Sequence, residues 1–368
     1  MNKKKLNLFF INFWEKSYDF SQFSFIEKLL FFILVFIENI YKIIFYLVLI
    51  YKKNFLKPKQ YPFKVISVGN ISVGGTGKSV FVQFLVKNFS SFKCAIVMRG
   101  YKSKAEGDGK NYLIDLSTNK DILDQVGDEA VMLLNNLQCS IAVGSNRAKS
   151  CDLLDNSYYI VFLDDAYQNF LIKKDFEILL LDATRPFENG HCLPAGKLRE
   201  KDISRADIII LTHADKLSAD GLILLKNKLS INFDNENIFF GKHEFSGLYL
   251  WDKNFTSVEF LQNKKILAFA GIGSFDSFKN SLKDIGLKNL HFIEFQDHCN
   301  YTQQDFDNIL NYYNSKNIDV LITTQKDWVK ISEFFNNNIF IYVLRIEFNF
   351  LDHTDEKKFL TKLKNKLL

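Results

Sequence analysis

The sequence predicts an α/β protein whose sheet is mostly parallel and covered by helices on both faces. Three observations predict it. Short β-branched apolar runs alternate with longer stretches of helical periodicity from residue 64 onward, the pattern that builds parallel strands with crossover helices. A glycine-rich segment joins the first of these strands to the first helix. The 368 residues are 47% apolar, enough to bury the cores of about two domains.

Composition narrows the function classes. Disordered, collagen-like and disulfide-stapled chains are excluded, and four prolines exclude a proline-rich scaffold. The 38 Phe and the many Lys and Asn read as compositional bias and carry no function. The net charge is +5, but residues 1–60 hold ten Lys against four acidic residues, so the rest of the chain sums to −1. A nucleic-acid binder carries its basic excess on the folded body. Here the excess flanks an apolar segment, which points to a membrane surface with anionic lipid. Five cysteines with no C-x-x-C spacing fit free thiols in a reducing compartment and argue against a zinc cluster.

The first element is apolar. Leu29–Ile37 and Ile43–Tyr51 are continuous apolar runs, interrupted by Glu38, Asn39 and Lys42. One helix over 29–51 is about 34 Å long, enough to cross a hydrocarbon core. Charges at the bilayer centre are costly, yet Glu27, Glu38, Lys42 and Lys53 recur at spacings of 11, 4 and 11 and share one face. The segment therefore reads as an apolar helix with a thin polar stripe, lying in the interface. A true span and a buried helix of the fold are the alternatives. A cleaved signal peptide is excluded by the late apolar region and the lack of a small-residue cleavage site.

The second element carries chemistry. Val65-Ile66-Ser67-Val68 reads as a strand. It leads into Gly69-Asn70-Ile71-Ser72-Val73-Gly74-Gly75-Thr76-Gly77-Lys78-Ser79, and Val80–Phe89 follows with helical spacing. Strand, glycine loop, Gly-Lys-Ser and helix form the context of a phosphate-binding loop. Glycines let backbone N–H groups turn around an anion, and the helix N-terminus adds its dipole. Lys78 reaches the outer phosphates, and the Ser79 hydroxyl can ligate magnesium. The strict pattern has Gly where this chain has Ser72.

Tyr158–Leu163 is an apolar strand ending at Asp164-Asp165, the place of a second magnesium partner, with Asp164 the nearer candidate. Further strands are expected at Cys94–Met98, Cys139–Val143, Glu177–Leu181 and Asp207–Leu211. Ligands gather at the carboxyl ends of parallel strands. The polar clusters fall there: Arg99-Gly100-Tyr101, Gly144-Ser145-Asn146-Arg147, Asp164-Asp165 and Asp182–Arg185.

Together these clusters resemble the tetraacyldisaccharide 4′-kinase family, the lipid A 4′-kinases of Gram-negative bacteria. In order, the matching pieces are the phosphate loop, Arg99-Gly100-Tyr101, Gly127-Asp128-Glu129, Asp164-Asp165-Ala166-Tyr167-Gln168, Leu193-Pro194-Ala195-Gly196-Lys197-Leu198-Arg199-Glu200, Ala270-Gly271-Ile272-Gly273, Asp297-His298 and Thr323-Thr324-Gln325-Lys326-Asp327. They span residues 65 to about 330. The chain departs from the family's pattern at Ala130, Ala166, Tyr167, Asn169, Cys299 and Gln325.

The resemblance implies an ATP-dependent kinase that moves the γ-phosphate to the 4′-hydroxyl of a tetraacyldisaccharide 1-phosphate, at the cytoplasmic face of the inner membrane. ATP would be held by Ser72, Val73, Gly74, Gly75, Thr76, Gly77, Lys78 and Ser79, with Arg147 and Arg199 as anion clamps. Mg2+ would be held by Ser79, Asp164 and Glu200. Asp128 with His298 would serve as base, and Asp165 would orient the sugar or a water. Each has a plainer alternative: Asp128 as the N-cap of a helix at Ala130–Leu137, His298 as an ordinary histidine, the arginines as salt-bridge partners. No protein partner and no nucleic acid are expected. The implied domains are a membrane-associated segment at 1–60, a P-loop core at 61–185 completed by 355–368, and a second α/β domain at 190–345, joined by extended linkers that allow closure. A P-loop GTPase or metal-chaperone NTPase is the competing enzyme reading, since Leu211-Thr212-His213-Ala214-Asp215 faintly resembles a guanine-reading motif. A nucleotide-dependent membrane adaptor is the non-enzymatic one.

Overall fold

The computed structural model describes residues 3–101, 103–250, 255–273, 275–297, 299–335 and 339–367. Its strands are β1 (Lys64–Gly69), β2 (Cys94–Met98), β3 (Asn111–Ile114), β4 (Ser140–Gly144), β5 (Ile160–Asp164), β6 (Phe176–Asp182), β7 (Ile208–Thr212), β8 (Ile238–Leu250), β9 (Phe255–Thr256), β10 (Ile266–Ala270), β11 (Leu290–Glu294), β12 (Val320–Thr324) and β13 (Ile341–Phe350). The helices are α1 (Lys3–Lys16), α2 (Phe25–Phe55), α3 (Lys78–Asn88), α4 (Lys104–Gly107), α5 (Lys120–Val126), α6 (Asp128–Leu137), α7 (Arg147–Cys151), α8 (Ala219–Ser230), α9 (Val258–Leu261), α10 (Phe275–Asp284), α11 (Gln303–Ser315), α12 (Gln325–Ile331) and α13 (His353–Leu367).

Among the described residues the strands form one sheet in the order β11-β10-β12-β13-β8-β7-β6-β1-β5-β2-β4-β3, with β9 beside β8. β1 pairs in parallel with β5 on one side and β6 on the other. Successive strands thus leave β1 in opposite directions, and a crevice opens at its carboxyl end. The central strands are buried along their length, as strands covered on both faces must be. β8 joins the two halves. Its start runs parallel to β7 from Ile209↔Ile238. Its remainder runs antiparallel to β13, with a register shift between Arg345 and Ile346.

The first half has a core on each face of its sheet. Ile66, Phe162 and Ile178 pack against Phe81 and Leu85 of α3 and Leu133 of α6. The end of the chain completes that core: Phe348 and Phe350 of β13 and Phe359 and Leu363 of α13 are buried in it. On the opposite face Val65, Val97 and Leu163 pack with Cys151 and Leu154. The second half buries Ala268 and Ile322 on one face, and Phe269 and Leu321 on the other.

The motif Thr323-Thr324-Gln325-Lys326-Asp327 is a structural pin. Thr324 caps α12 by accepting from the Asp327 amide at 3.2 Å. Asp327 is fully buried. It accepts from the Gly271 amide at 3.0 Å, the Tyr301 hydroxyl at 2.9 Å and the Thr324 hydroxyl at 2.6 Å. Asp327→Ala leaves two buried donors and the half-buried Thr324 hydroxyl unpaired. We expect it to lower unfolding free energy by about 3 kcal/mol, read from denaturant titration. A loss under about 1 kcal/mol would show the pin to be dispensable.

α2 is one continuous helix begun by a capping box of Ser24 and Glu27. Phe25 is 83% exposed and Phe36 68% exposed, so it is not a buried helix of the core. By length and composition Phe25–Lys52 could cross a membrane. Of the polar interruption, Glu38 faces the body, while Asn39 is exposed and donates to the Val35 carbonyl. Glu38 is buried, pairs with Lys42, lies 2.7 Å from His191 Nδ1 and accepts from the Cys192 amide at 2.9 Å. The Tyr41 hydroxyl donates to the Arg199 carbonyl at 2.8 Å. The middle of the polar stripe, at Glu38, is thus a docking seam, and the opposite face remains apolar and open.

Candidate active site

The phosphate loop forms where β1 ends. Gly77, at φ 76°, turns the chain into α3 with no side-chain cap. The first amides of α3 are therefore left for an anion. The loop is braced from outside. The Val73 amide donates to the Lys197 carbonyl at 2.8 Å, and the Arg199 amide to the Ile71 carbonyl at 2.7 Å. Ser72 forms a bridge with Leu198. Inside, Asn70 donates to the Thr76 hydroxyl at 3.2 Å. The same 191–199 segment that seats α2 thus holds the loop.

Opposite α3, β5 delivers two carboxylates of different character. Asp165 stands at φ 47°, a left-handed turn that Asp tolerates better than most residues. It sits 3.6 Å from Lys78 Nζ and receives both Nη atoms of Arg199 at 3.1 and 3.2 Å. Burial pushes its carboxyl up, but Lys78 and Arg199 outweigh burial and hold it below the ordinary value. Asp164 has the reverse balance. Burial first, then the Glu129 carboxylate, push it up to about 7 against the pull of Lys78. Its Oδ1 is buried with no hydrogen-bond partner. Glu129, from α6, bonds the Ser79 hydroxyl.

An orphaned carboxylate oxygen among like charges, beside a hydroxyl, fits a hard divalent cation. Among the described residues no cluster of three or more His, Cys, Asp or Glu forms a ready-made cage.

The other expected residues fall around this centre. Arg147 donates to the carbonyls of Asp164, at 3.3 Å from Nε, and Asp165, at 2.8 Å from Nη2. It holds the turn that aims both carboxylates. Arg199 is likewise engaged with Asp165, so neither guanidinium is an idle clamp. Glu200 has Oε1 on Gln168 at 2.8 Å and Oε2 on Arg205 at 2.7 Å, and burial raises its pKa against that of Arg205. Asp128 is not an N-cap: Gly127, at φ 88°, takes that place and Asp128 is the first residue of α6. Its Oδ2 lies 2.9 Å from Lys330 Nζ of α12. Lys330 also donates to the Cys299 carbonyl at 3.1 Å, so one side chain ties Asp128 to the chain next to position 298. His298 itself lies outside the described residues.

Three participants were not singled out from sequence. Glu129 stands beside Asp128 in a quoted motif yet had no role. Lys330 follows the Thr-Thr-Gln-Lys-Asp motif by one turn of α12. Asn136 accepts from Gln325 at 3.2 Å and donates to Gln83 at 3.2 Å, which reaches the Ser79 carbonyl at 3.3 Å. No periodicity signals such a relay; only the packing of α6 between α3 and α12 creates it.

Comparison with known proteins gives the family. Residues 30–367 match the family model described as tetraacyldisaccharide-1-P 4′-kinase, LpxK. The chain is 33% identical to the tetraacyldisaccharide 4′-kinase of Halothermothrix orenii, with 92% of this chain and 94% of that one covered. It is 32% identical to the enzyme of that name from Rickettsia canadensis, over 96% of this chain and 98% of that one. The fold is similar to the crystal structure of LpxK from Aquifex aeolicus in complex with ATP, with a TM-score of 0.70 and 27% identity over 90% of this chain and 98% of that one.

Proposed function

The chain belongs to the tetraacyldisaccharide-1-P 4′-kinase family, and from that premise we propose how its own residues carry the reaction. It is a kinase of lipid A biosynthesis that transfers the γ-phosphate of ATP to the 4′-hydroxyl of a tetraacyldisaccharide 1-phosphate. The observation that carries the mechanism is the uncapped N-terminus of α3. There Lys78 and Ser79 face Asp164 and Asp165 across the end of β5.

The amides of residues 74–79 bind the phosphates, the Val73 amide being engaged by Lys197, and Lys78 neutralises the outer phosphates. Ser79 and Asp164 would hold Mg2+, with Glu129 beside them. Glu200 would join that set by releasing Gln168 or Arg205. When bound, the metal neutralises charge on the β- and γ-phosphates. Asp165, fixed by Arg199 and the backbone grip of Arg147, keeps Lys78 directed at the transfer line. Asp128 takes the proton of the attacking hydroxyl, directly or through His298 as the family resemblance implies. Lys330 holds Asp128 beside the chain at position 298.

The exposed face of α2 and the Lys-rich flank support seating on the cytoplasmic surface of the inner membrane. Acyl chains then stay in lipid while the sugar reaches the crevice.

The test is transfer of labelled phosphate from ATP to the tetraacyl disaccharide 1-phosphate in detergent micelles. Asp128→Ala should keep ATP affinity and lower transfer by about 10²–10⁴-fold. Unchanged turnover would remove Asp128 from the chemistry. ATP hydrolysis without lipid phosphorylation by the wild type would overturn the whole mechanism.

A further inference from the structure

At the carboxyl ends of β6 and β7 and on β8, three side chains stand in line beside the phosphate loop. Asp182 Oδ1 accepts from the Thr184 amide at 2.9 Å and the Thr184 hydroxyl at 2.6 Å. Asp182 Oδ2 lies 2.9 Å from His213 Nδ1. His213 Nε2 lies 3.0 Å from His243 Nδ1. The line ends at His243 Nε2, which is buried with no hydrogen-bond partner. That atom is pressed against the loop: a Cβ on Gly77 would stand 2.0 Å from it. His213 comes from the segment with the faint guanine-reading likeness, and the fold gives it this different employment.

A buried nitrogen without a partner is costly to keep. Here two further residues are spent on orienting it. We propose that His243 Nε2 donates a hydrogen bond to the α- or β-phosphate of the bound nucleotide, positioned by His213 and Asp182. The proposal rests on the kinase reading and adds a nucleotide contact to it. The side of the loop decides which phosphates. Lys78 and Ser79 turn toward Asp165 and Glu129, the transfer side. Gly77 shows its other flank to β8, and loop amides there cradle the α- and β-phosphates.

Phosphate oxygens offer only lone pairs, so the line must present a proton. With both rings neutral, His213 donates from Nδ1 to Asp182 and accepts from His243 Nδ1, leaving His243 Nε2 bare. One added proton on His213 reverses the line: His213 Nε2 donates to His243 Nδ1, and His243 Nε2–H faces the loop. Asp182 is there to balance that charge. Burial pushes it up, but His213 and Thr184 hold it at about 2. Burial, then His213, push His243 itself down to about 4, with Lys216 adding to that and Asp182 opposing it. The added proton is therefore disfavoured on His243 itself. Lys78, on α3, directs its charge to Asp165 instead.

The test uses full-length protein in detergent at pH 8. Affinities for ATP, ADP and adenosine are measured by calorimetry and displacement, in buffers of high and low ionisation enthalpy. H243F keeps an aromatic ring beside Phe348. We expect it to bind ATP and ADP about tenfold more weakly with adenosine unchanged. Uptake of about one proton per ATP should disappear. D182N leaves both rings in place and should also lose the proton uptake, which a merely structural role would not move; it carries the test if H243F fails to fold. Unchanged affinity and proton uptake, or equal weakening of adenosine, would overturn the proposal. The kinase reading is separable: it fails if the wild type binds no ATP or if Lys78→Ala binds it as well, whatever the histidine does.

Discussion

Lys78→Ala should lower phosphate transfer to the lipid by about 10³-fold, the scale of losing one preorganised charge aimed at a developing one. Its ammonium stands at the head of α3, 3.6 Å from Asp165. Removing it also removes one of the charges that hold the Asp165 carboxyl down against burial, although Arg199 still grips that carboxylate. Fold and stability should change little, because Arg199 remains and the side chain is not part of a core. Lys78→Arg should rescue poorly. A planar guanidinium spreads its charge and cannot act as the compact point charge that the loop encloses. The measurement is initial-rate transfer in micelles with thermal unfolding in parallel. A rate within tenfold of wild type would mean that the loop amides alone bind the polyphosphate.

Asp164→Asn should show opposite effects on activity and stability. Transfer should fall by about 10³-fold, since the carboxylate charge that fits the cation is lost. The nucleotide-free protein, however, should become more stable. Asp164 is raised from 3.8 to about 7 by burial and by Glu129. A carboxyl with a raised folded pKa stabilises fully below its unfolded value, and that contribution is lost as pH rises through the folded value. At pH 8 the wild type therefore holds an unfavourable buried charge that Asn does not. The gain should be on the order of 2–4 kcal/mol at pH 8 and vanish toward pH 4. Denaturant unfolding in chelator at the two pH values reads it. A variant less stable than wild type at pH 8 would show that the charge is favourably solvated even without metal.

Much of the first half of the fold could be read from sequence because its strands are buried on both faces. Ile160–Leu163 and Ile178–Leu181 are unbroken apolar runs, and the glycine loop marks the strand between them. β8 and β13 could not be read the same way. β8 is parallel to one neighbour and antiparallel to the other, and half of it leaves the buried sheet. Its sequence mixes Phe with Lys, His and Glu and keeps no single period. The site divides similarly. Lys78, Ser79, Asp164 and Asp165 are local signals, contiguous or at a strand end. Glu129, Lys330 and the Asp182–His213–His243 line exist only through pairing of distant elements. The polar stripe on α2 was visible, but not its purpose. Spacing places Glu38 and Lys42 on one face without saying that the face meets the His191–Arg199 segment rather than lipid headgroups.

The burial of the last residues in the first core sets a schedule for synthesis. Phe81 and Phe84 of α3 have their aromatic neighbours in Phe348, Phe350 and Phe359. A ribosome adding about 5–20 residues per second reaches those partners only tens of seconds after α3 has emerged. Through that interval the helix that will carry the phosphate loop has one flank unsealed, while the outer strands are already complete. The nascent chain is therefore exposed to chaperones and proteases at its catalytic end rather than at its periphery. A stop codon anywhere before β13 would leave the oldest part of the molecule unfinished, not merely shorten the newest.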